Sequence, residues 1–215
     1  MMQAFIRKKK KGSRETKCNK LKPSNLPAHW ATLPRNVRVL SFYSQHYEKT
    51  GFLSNFYAST FKYRMPTNVL LYPGKTLTVK HAEQAIMLSK AALFNDKNAF
   101  DRIRRCSSPV SCKRIGRMVR DFNEEVWSEN VIDIAERVLW YKFSAGEMHK
   151  MLIRTGSLVL AEASPTDKIW GIGVSASDHL SSNIATWQGF NLLGYSLMKV
   201  RERLLNKKDK PGSEN

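Results

Sequence analysis

The chain has 215 residues, 42% of them hydrophobic, and a formal net charge of +18 at pH 7. Length and apolar content suit one domain with a sizeable core, and with no run of about 18 apolar residues a membrane span is excluded. The N-terminal M-M-Q-A-F-I-R-K-K-K-K lacks the apolar stretch of a secretory signal. Three cysteines, Cys18, Cys106 and Cys112, then suit reduced thiols in an intracellular setting, cytoplasm or nucleus.

Residues 1–40 hold eleven Lys/Arg against one acid, a net of +10, whereas the remainder holds twenty-five against seventeen, a net of +8. Residues 1–36 therefore read as a flexible basic arm, suited to nucleic acid or another polyanion. Lys8 to Lys11 equally fit a nuclear address or a solubilising tail. Residues 37–206 read as the folded domain and residues 207–215 as a disordered tail.

Within the domain, V-R-V-L-S-F-Y from Val37 to Tyr43 is β-branched and aromatic and predicts a first strand. Gly51 to Phe56 follows as a loop, and Ala58 to Tyr63 predicts a second strand. Pro66, Pro73 and Gly74 place a hairpin or surface excursion between Met65 and Lys80. Val79 to Phe94, rich in Ala, Leu, Met, Lys and Gln, predicts the central helix. Its Ala82, Ala85, Ile86, Ser89 and Leu93 share a core-facing side. A neighbouring stripe, Glu83, Met87, Lys90 and Phe94, sets an acid and a base two turns apart. That stripe fits either the roof of a ligand pocket or a boundary with two solvated charges.

Asn95 or Asp96 can cap a helix running through Arg105, and Ser108-Pro109 opens the next. Residues 102–120 carry Arg102, Arg104, Arg105, Lys113, Arg114, Arg117 and Arg120 without an acid. On a continuous helix Lys113, Arg117 and Arg120 share a face fit to track phosphates. Val131 to Phe143 predicts a long core helix, with Trp140 and Trp127 as anchors, and Glu147 to Arg154 a shorter one. Leu158 to Ala163 predicts a buried strand, Ser175 to Thr186 a loop, and Asn191 to Leu205 a closing amphipathic helix. Strands early and late among more numerous helices give an α+β class: a compact, mainly helical single domain with a small sheet.

Three chemistries compete in these residues. His81-Ala82-Glu83 matches half of a zinc deaminase signature, but Cys106 and Cys112 lack the P-C-x-x-C spacing of the other half, so no metal is predicted. Cys106 lies beside Arg104 and Arg105, which favours a thiolate, yet no neighbouring base accompanies it. Glu83 on a helix and Asp167 before a W-G-x-G loop suit glycosidic cleavage, in which one carboxylate stabilises an oxocarbenium-like state. Arginines and the backbone at Gly171 and Gly173 can take phosphate oxygens, and Trp170 or Phe56 can stack on a base.

F-Y-S, G-F-L-S-N-F, A-E-Q-A-I-M-L-S-K-A, S-P-x-x-x-K-R-I-G-R, D-x-x-W-G-x-G and G-F-N-L-L-G-Y-S-L-M-K-V-R occur in that order. Over about Ser41 to Leu205 the chain resembles the NADAR (YbiA-like) family. The resemblance implies metal-independent N-glycosidase activity without a cofactor. Its substrate classes are ribosylamino-pyrimidine phosphates of riboflavin synthesis and ADP-ribose attached to guanine in DNA. It implies Glu83 as the central catalytic carboxylate, with Asp167 and Trp170 in the loop at the sugar and Asn55 and Phe56 in the S-N-F loop. Lys90, Arg114 and Arg117 match basic positions of the family, and Asn191 a late asparagine. Lys90 has a second possible role as an amine trapping the opened sugar aldehyde. Gln84 stands where relatives commonly carry His, and the stretch between Gly173 and Asn191 is longer than usual. A non-catalytic module binding ADP-ribose or nucleic acid is the alternative of another class.

The charge distribution generates a first prediction. Intact protein binds DNA at low salt, weakening steeply as salt rises, and a chain beginning at Asn36 binds more weakly with a shallower salt slope. Titration of binding against salt measures both; equal slopes would remove the arm from the interaction.

Overall fold

The computed structural model describes residues 37–208. The basic arm of residues 1–36, with Trp30, and the tail from residue 209 lie outside the described residues. The uninterrupted Ala, Leu, Met, Lys and Gln run forms helix α1, Ala82–Leu93, and three further helices pack on it. These are α2 (Lys97–Arg105), α3 (Pro109–Gly116) and α4 (Glu124–Phe143). The helix α1 starts three residues later than the composition suggests, because Val79 ends a strand and His81 turns into the N-cap. The His81 Nδ1 accepts the backbone N–H of Gln84 at 3.0 Å. Asp96 and Ser108 cap α2 and α3 in the same way, and Pro109 takes the first turn of α3.

Strand β1 (Val39–Phe42) pairs in parallel with β4 (Val159–Glu162), with Val39 opposite Val159 and Phe42 opposite Glu162. Strands β2 (Phe61–Arg64) and β3 (Thr76–Val79) form an antiparallel hairpin. The small sheet expected from the sequence is thus two separate two-stranded sheets among the described residues. Helix α5 (Gly146–Arg154) follows α4, and α6 (Leu192–Lys208) closes the chain against α4 and β4. Residues 207 and 208, expected in the tail, belong to α6. With six helices among the described residues, the class is α+β and mainly helical.

Three apolar clusters form among the described residues, and α4 runs through the two larger ones. Ile134 and Val138 pack with Ala85, Leu88 and Ala92 of α1 and with Tyr63, Phe100 and Ile103. One turn further, Leu139 and Phe143 pack with Phe42, Phe52, Leu160 and Leu197. Trp140 is not the anchor that its size suggests. It is only partly buried at the margin of the second cluster, where the Arg203 guanidinium stacks 4.2 Å from its ring centre. Trp127 is likewise only partly buried.

A buried lysine fixes the loop between β1 and β2. Lys142 is 3% exposed and donates from Nζ to the carbonyls of Phe52 at 2.7 Å and Ser54 at 2.8 Å. The neighbouring Asn55 carbonyl accepts the first-turn N–H of Glu83 at 2.9 Å. The loop is therefore clamped from α4 on one side and from the start of α1 on the other.

Phe143→Ala is expected to cost about 3–5 kcal/mol, since it empties a fully enclosed ring site. Trp140→Ala should cost less than half as much, as its ring keeps solvent contact. Denaturant unfolding of both variants checks the order; a larger loss at Trp140 would contradict this packing.

Candidate functional site

The clamped loop, α1, α3, the start of α4, the end of β4 and the turn after it enclose a cavity of about 200 Å³. From α1 come Glu83, Ile86, Met87 and Lys90, so the predicted stripe is one wall. Phe94 ends the stripe outside the cavity, stacked edge-on against Phe122 with ring centres 5.2 Å apart. The loop presents Ser54, Asn55 and Phe56, and α3 presents Lys113 and Gly116 with Arg117 at its cap. Trp127, Glu162, Asp167 and Trp170 complete the lining.

Two carboxyls stand out. Glu83 is 6% exposed, and burial pushes it up to about 7. Lys113, Arg117 and Lys90 pull the other way, and Asp167 adds to the upward push. Glu162, the last residue of β4, is pushed up to about 8 by burial, with Asp167 and Glu83 adding and Lys113 opposing. Burial lowers Lys90 to about 8, with Glu83 opposing and Arg117 adding. The Lys90 Nζ rests 4.0 Å from the ring centre of Phe122 and 5.2 Å from that of Trp127. Lys113 lies 5.6 Å from the Phe56 ring centre.

Asp167 has a constructional task as well. Its Oδ1 accepts the N–H groups of Ile169 at 3.0 Å and Trp170 at 2.9 Å, making the turn that carries Trp170 to the cavity. The cavity also contains enclosed acceptors without donors: Asn55 Oδ1 and Glu162 Oε2 have no hydrogen-bond partner. Gly116 lets α3 close on α1, since a Cβ there would run into the Met87 side chain.

Six residues expected at the site meet here from α1 and two other parts of the chain: Glu83, Lys90, Asp167, Trp170, Asn55 and Phe56. Arg117 joins them. Arg114, Gly171, Gly173 and Asn191 are not brought to the cavity lining. Arg114 is exposed on the outer side of α3. The Asn191 amide is committed to β4, its Oδ1 accepting from Glu162 N at 2.9 Å and its Nδ2 donating to the Leu160 carbonyl at 2.8 Å. Gly171 lies against protein backbone; a Cβ would come within 2.8 Å of the Asp167 and Glu162 carbonyl oxygens. Gly173 supplies a positive φ of 70° in the same packed loop.

The predicted phosphate ridge does not form. Helix α3 stops at Gly116, so Lys113 and Arg117 turn to the cavity, while Arg120 reaches back to Asp96 at 3.3 Å. Gln84 points away from the cavity; its Oε1 accepts from Lys80 N, and its Nε2 donates to the carbonyls of Ile103 and Cys106. The deaminase half-motif is used as the helix cap already described. Among the described residues no three His, Cys, Asp or Glu side chains gather as a metal-binding group. Glu162 and Trp127 were not anticipated as site residues, and Lys113 was expected on a phosphate-tracking ridge rather than in the cavity. The signal for Glu162 was its charge inside the otherwise apolar L-V-L-A-E-A strand.

The NADAR domain pattern matches residues 41–205. An N-glycosidase of Acanthamoeba polyphaga mimivirus is 43% identical over 122 residues, 56% of this chain and 72% of that protein. The Escherichia coli N-glycosidase YbiA is 30% identical over 156 residues, 70% of this chain and 87% of its own. The NMR structure of YbiA matches with a TM-score of 0.61 at 26% identity, covering 85% of this chain and 94% of that one. A chloroplastic riboflavin biosynthesis protein of Zea mays is 31% identical over 180 residues, but the match covers only 26% of that protein.

The buried Glu83 carboxyl makes stability fall as pH rises. Its folded value, about 7, lies above its ordinary 4.5, so the folded protein holds this proton more tightly and loses that advantage between the two values. Glu83→Gln removes the penalty and should stabilise the protein at pH 8 by up to about 3 kcal/mol, at about 1.4 kcal/mol per unit. At pH 4 the two proteins should melt alike. Thermal melts at both pH values check it; equal shifts at the two would mean that the carboxyl is not held protonated.

Proposed function

The chain belongs to the NADAR domain family, and from that premise we propose that it is an N-glycosidase that separates a ribose from the base nitrogen attached to it. The observation that carries this reading is the enclosed Glu83 carboxyl, set among Lys90, Lys113 and Arg117 and bordered by aromatic rings. The bond to be broken leaves positive charge on the anomeric carbon and ring oxygen. A carboxylate held in a low-dielectric cavity opposes that charge far more strongly than one in water. Glu83 in its ionised form therefore stabilises the oxocarbenium-like state and takes a proton from the attacking water.

Around it, the cations and rings divide the remaining work. Lys113 and Arg117 bind phosphate oxygens, and Phe56, Trp127 and Trp170 offer faces to the base and sugar. The partnerless Oδ1 of Asn55 accepts a ribose hydroxyl. Asp167 holds the Trp170 turn and raises the proton affinity of both glutamates. Lys90 acts first as a charge: it attracts Glu83 and rests on two rings, which together hold its amine in place.

For the substrate we favour ADP-ribose attached to guanine in nucleic acid. Lys113 and Arg117, two of the three cations in the cavity, suit a phosphate-bearing ribose. A separate hollow of about 300 Å³ is lined by Lys75, Lys97, Arg104 and Arg105 with Tyr72 and a single acid, Asp101. Such a surface attracts a polyphosphate chain and has no use for a small metabolite. The second reading, a ribosylamino-pyrimidine phosphate, is favoured by the similarity to the maize riboflavin protein.

Presenting purified protein with guanine-ADP-ribosylated DNA and with a ribosylamino-pyrimidine phosphate in parallel decides between them. The expected result is release of ADP-ribose from the DNA. Cleavage of the pyrimidine riboside alone would overturn the nucleic-acid substrate and keep the glycosidase. Glu83→Gln should retain substrate binding and lose about 10³-fold in turnover. At low substrate the wild-type rate should rise with pH through about 7, as Glu83 becomes a carboxylate. Full activity in Glu83→Gln would remove Glu83 from the reaction, and a wild type that binds both substrates and cleaves neither would be a binding module.

A further inference from the structure

Hydrolysis at this site needs two carboxyls in opposite states, and only Glu83 has so far been given a part. The base nitrogen that departs from ribose takes the bonding electron pair and needs a proton as it leaves. Lys90, Lys113 and Arg117 are cations whose task is charge, and Asp167 has one oxygen committed to the Trp170 turn. Glu162 lines the same cavity from a different element, the end of β4.

The backbone of Glu162 is fixed on every side. Its N–H donates to Asn191 Oδ1, and its carbonyl accepts from Ile172 at 2.8 Å and Ser164 at 2.9 Å. The side chain contrasts with this: Oε2 is fully enclosed and has no hydrogen-bond partner within the protein. A buried carboxylate oxygen without a donor is costly, whereas a protonated one has a hydrogen to give to a ligand. We infer that Glu162 is the general acid of this site, a catalytic residue that delivers its Oε2 proton to the departing base nitrogen while Glu83 activates water on the other side of the anomeric carbon. The inference rests on the glycosidase reading above.

The step balances. The water oxygen bonds to the anomeric carbon as the carbon–nitrogen bond breaks. The bond's electron pair goes to the base nitrogen, which takes the proton from Glu162, and Glu83 takes the proton from water. Return of that proton from Glu83 to Glu162 through solvent resets the pair. The Glu83 charge raises the proton affinity of Glu162, so the two titrate as a linked pair and one proton between them is the working state. The charged groups that act on Glu162 are Asp167 on its own side of the cavity, Glu83 of α1 and Lys113 of α3.

Leaving-group dependence tests this. Wild type and Glu162→Gln are compared on a riboside of a neutral base and on a nitrophenyl riboside, whose phenolate departs without a proton. For the base substrate Glu162→Gln should lose 10²–10⁴-fold in kcat, about the usual yield of general acid catalysis. For the nitrophenyl riboside the loss should stay under about tenfold. Wild type should show a falling limb near pH 8 with the base substrate, none with the nitrophenyl riboside, and none in Glu162→Gln. The two wild-type profiles stand even if the variant folds poorly. Equal losses on both substrates with the falling limb intact would overturn the role of Glu162 and leave the glycosidase standing. A wild type that cleaves neither riboside and releases no ADP-ribose from guanine-ADP-ribosylated DNA would overturn both.

Discussion

Glu83 and Glu162, two carboxyls lining one cavity with three cations in its walls, set the terms for the rest of the molecule. Neither Glu83 nor Glu162 is easily ionised where it stands, and Asp167 makes both harder to ionise. Lys113 opposes that push at each of them, so the charge of the cavity is balanced across α1, α3 and β4 rather than within any one element. Such a group of charges is tolerable only if its geometry is held; a loosened side chain would let water in and return each acid to its ordinary behaviour.

The surrounding structure supplies that hold mainly through backbone. Gln84 ties the end of α2 to α1 immediately beside Glu83, and the Glu83 N–H itself binds the Asn55 carbonyl. Lys142 grips two more carbonyls of the same loop from the far side. Asn191 performs the equivalent service for Glu162. The polar side chains of Gln84, Lys142 and Asn191 are thus spent on the backbone next to the cavity carboxyls.

That distinction marks the limit of what the sequence made legible. The helical composition of α1 and the spacing of Glu83, Met87 and Lys90 were readable, because a helix face is a local property. Element types came through from Pro, Gly and capping signals, although α4 begins seven residues before Val131 and the small sheet divides in two. Trp140 was misplaced because size suggests burial, while the helix register puts Val138 and Leu139 inward instead. Lys113, Arg117 and Arg120 were grouped by assuming that α3 continues past Gly116. Glu162 looked like part of a strand; only the fold shows which face of β4 meets the cavity. Asn191 and Gln84 carry no local sign that their amides are already engaged.

The pairing of β1 with β4 has a consequence in time. Val39 and Val159 are 120 positions apart, yet their parallel register aims Glu162. Asn191, later still, must dock before β4 is fixed at its free edge. Closing so long a loop is slow beside the local collapse of α1 through α3. The half of the cavity borne by the helices can therefore form early in synthesis, while its second acid arrives only when the last helix has been made. A nascent or C-terminally clipped chain would present Lys90, Lys113 and Arg117 with the Phe56 and Trp127 rings before Glu162 is set in place.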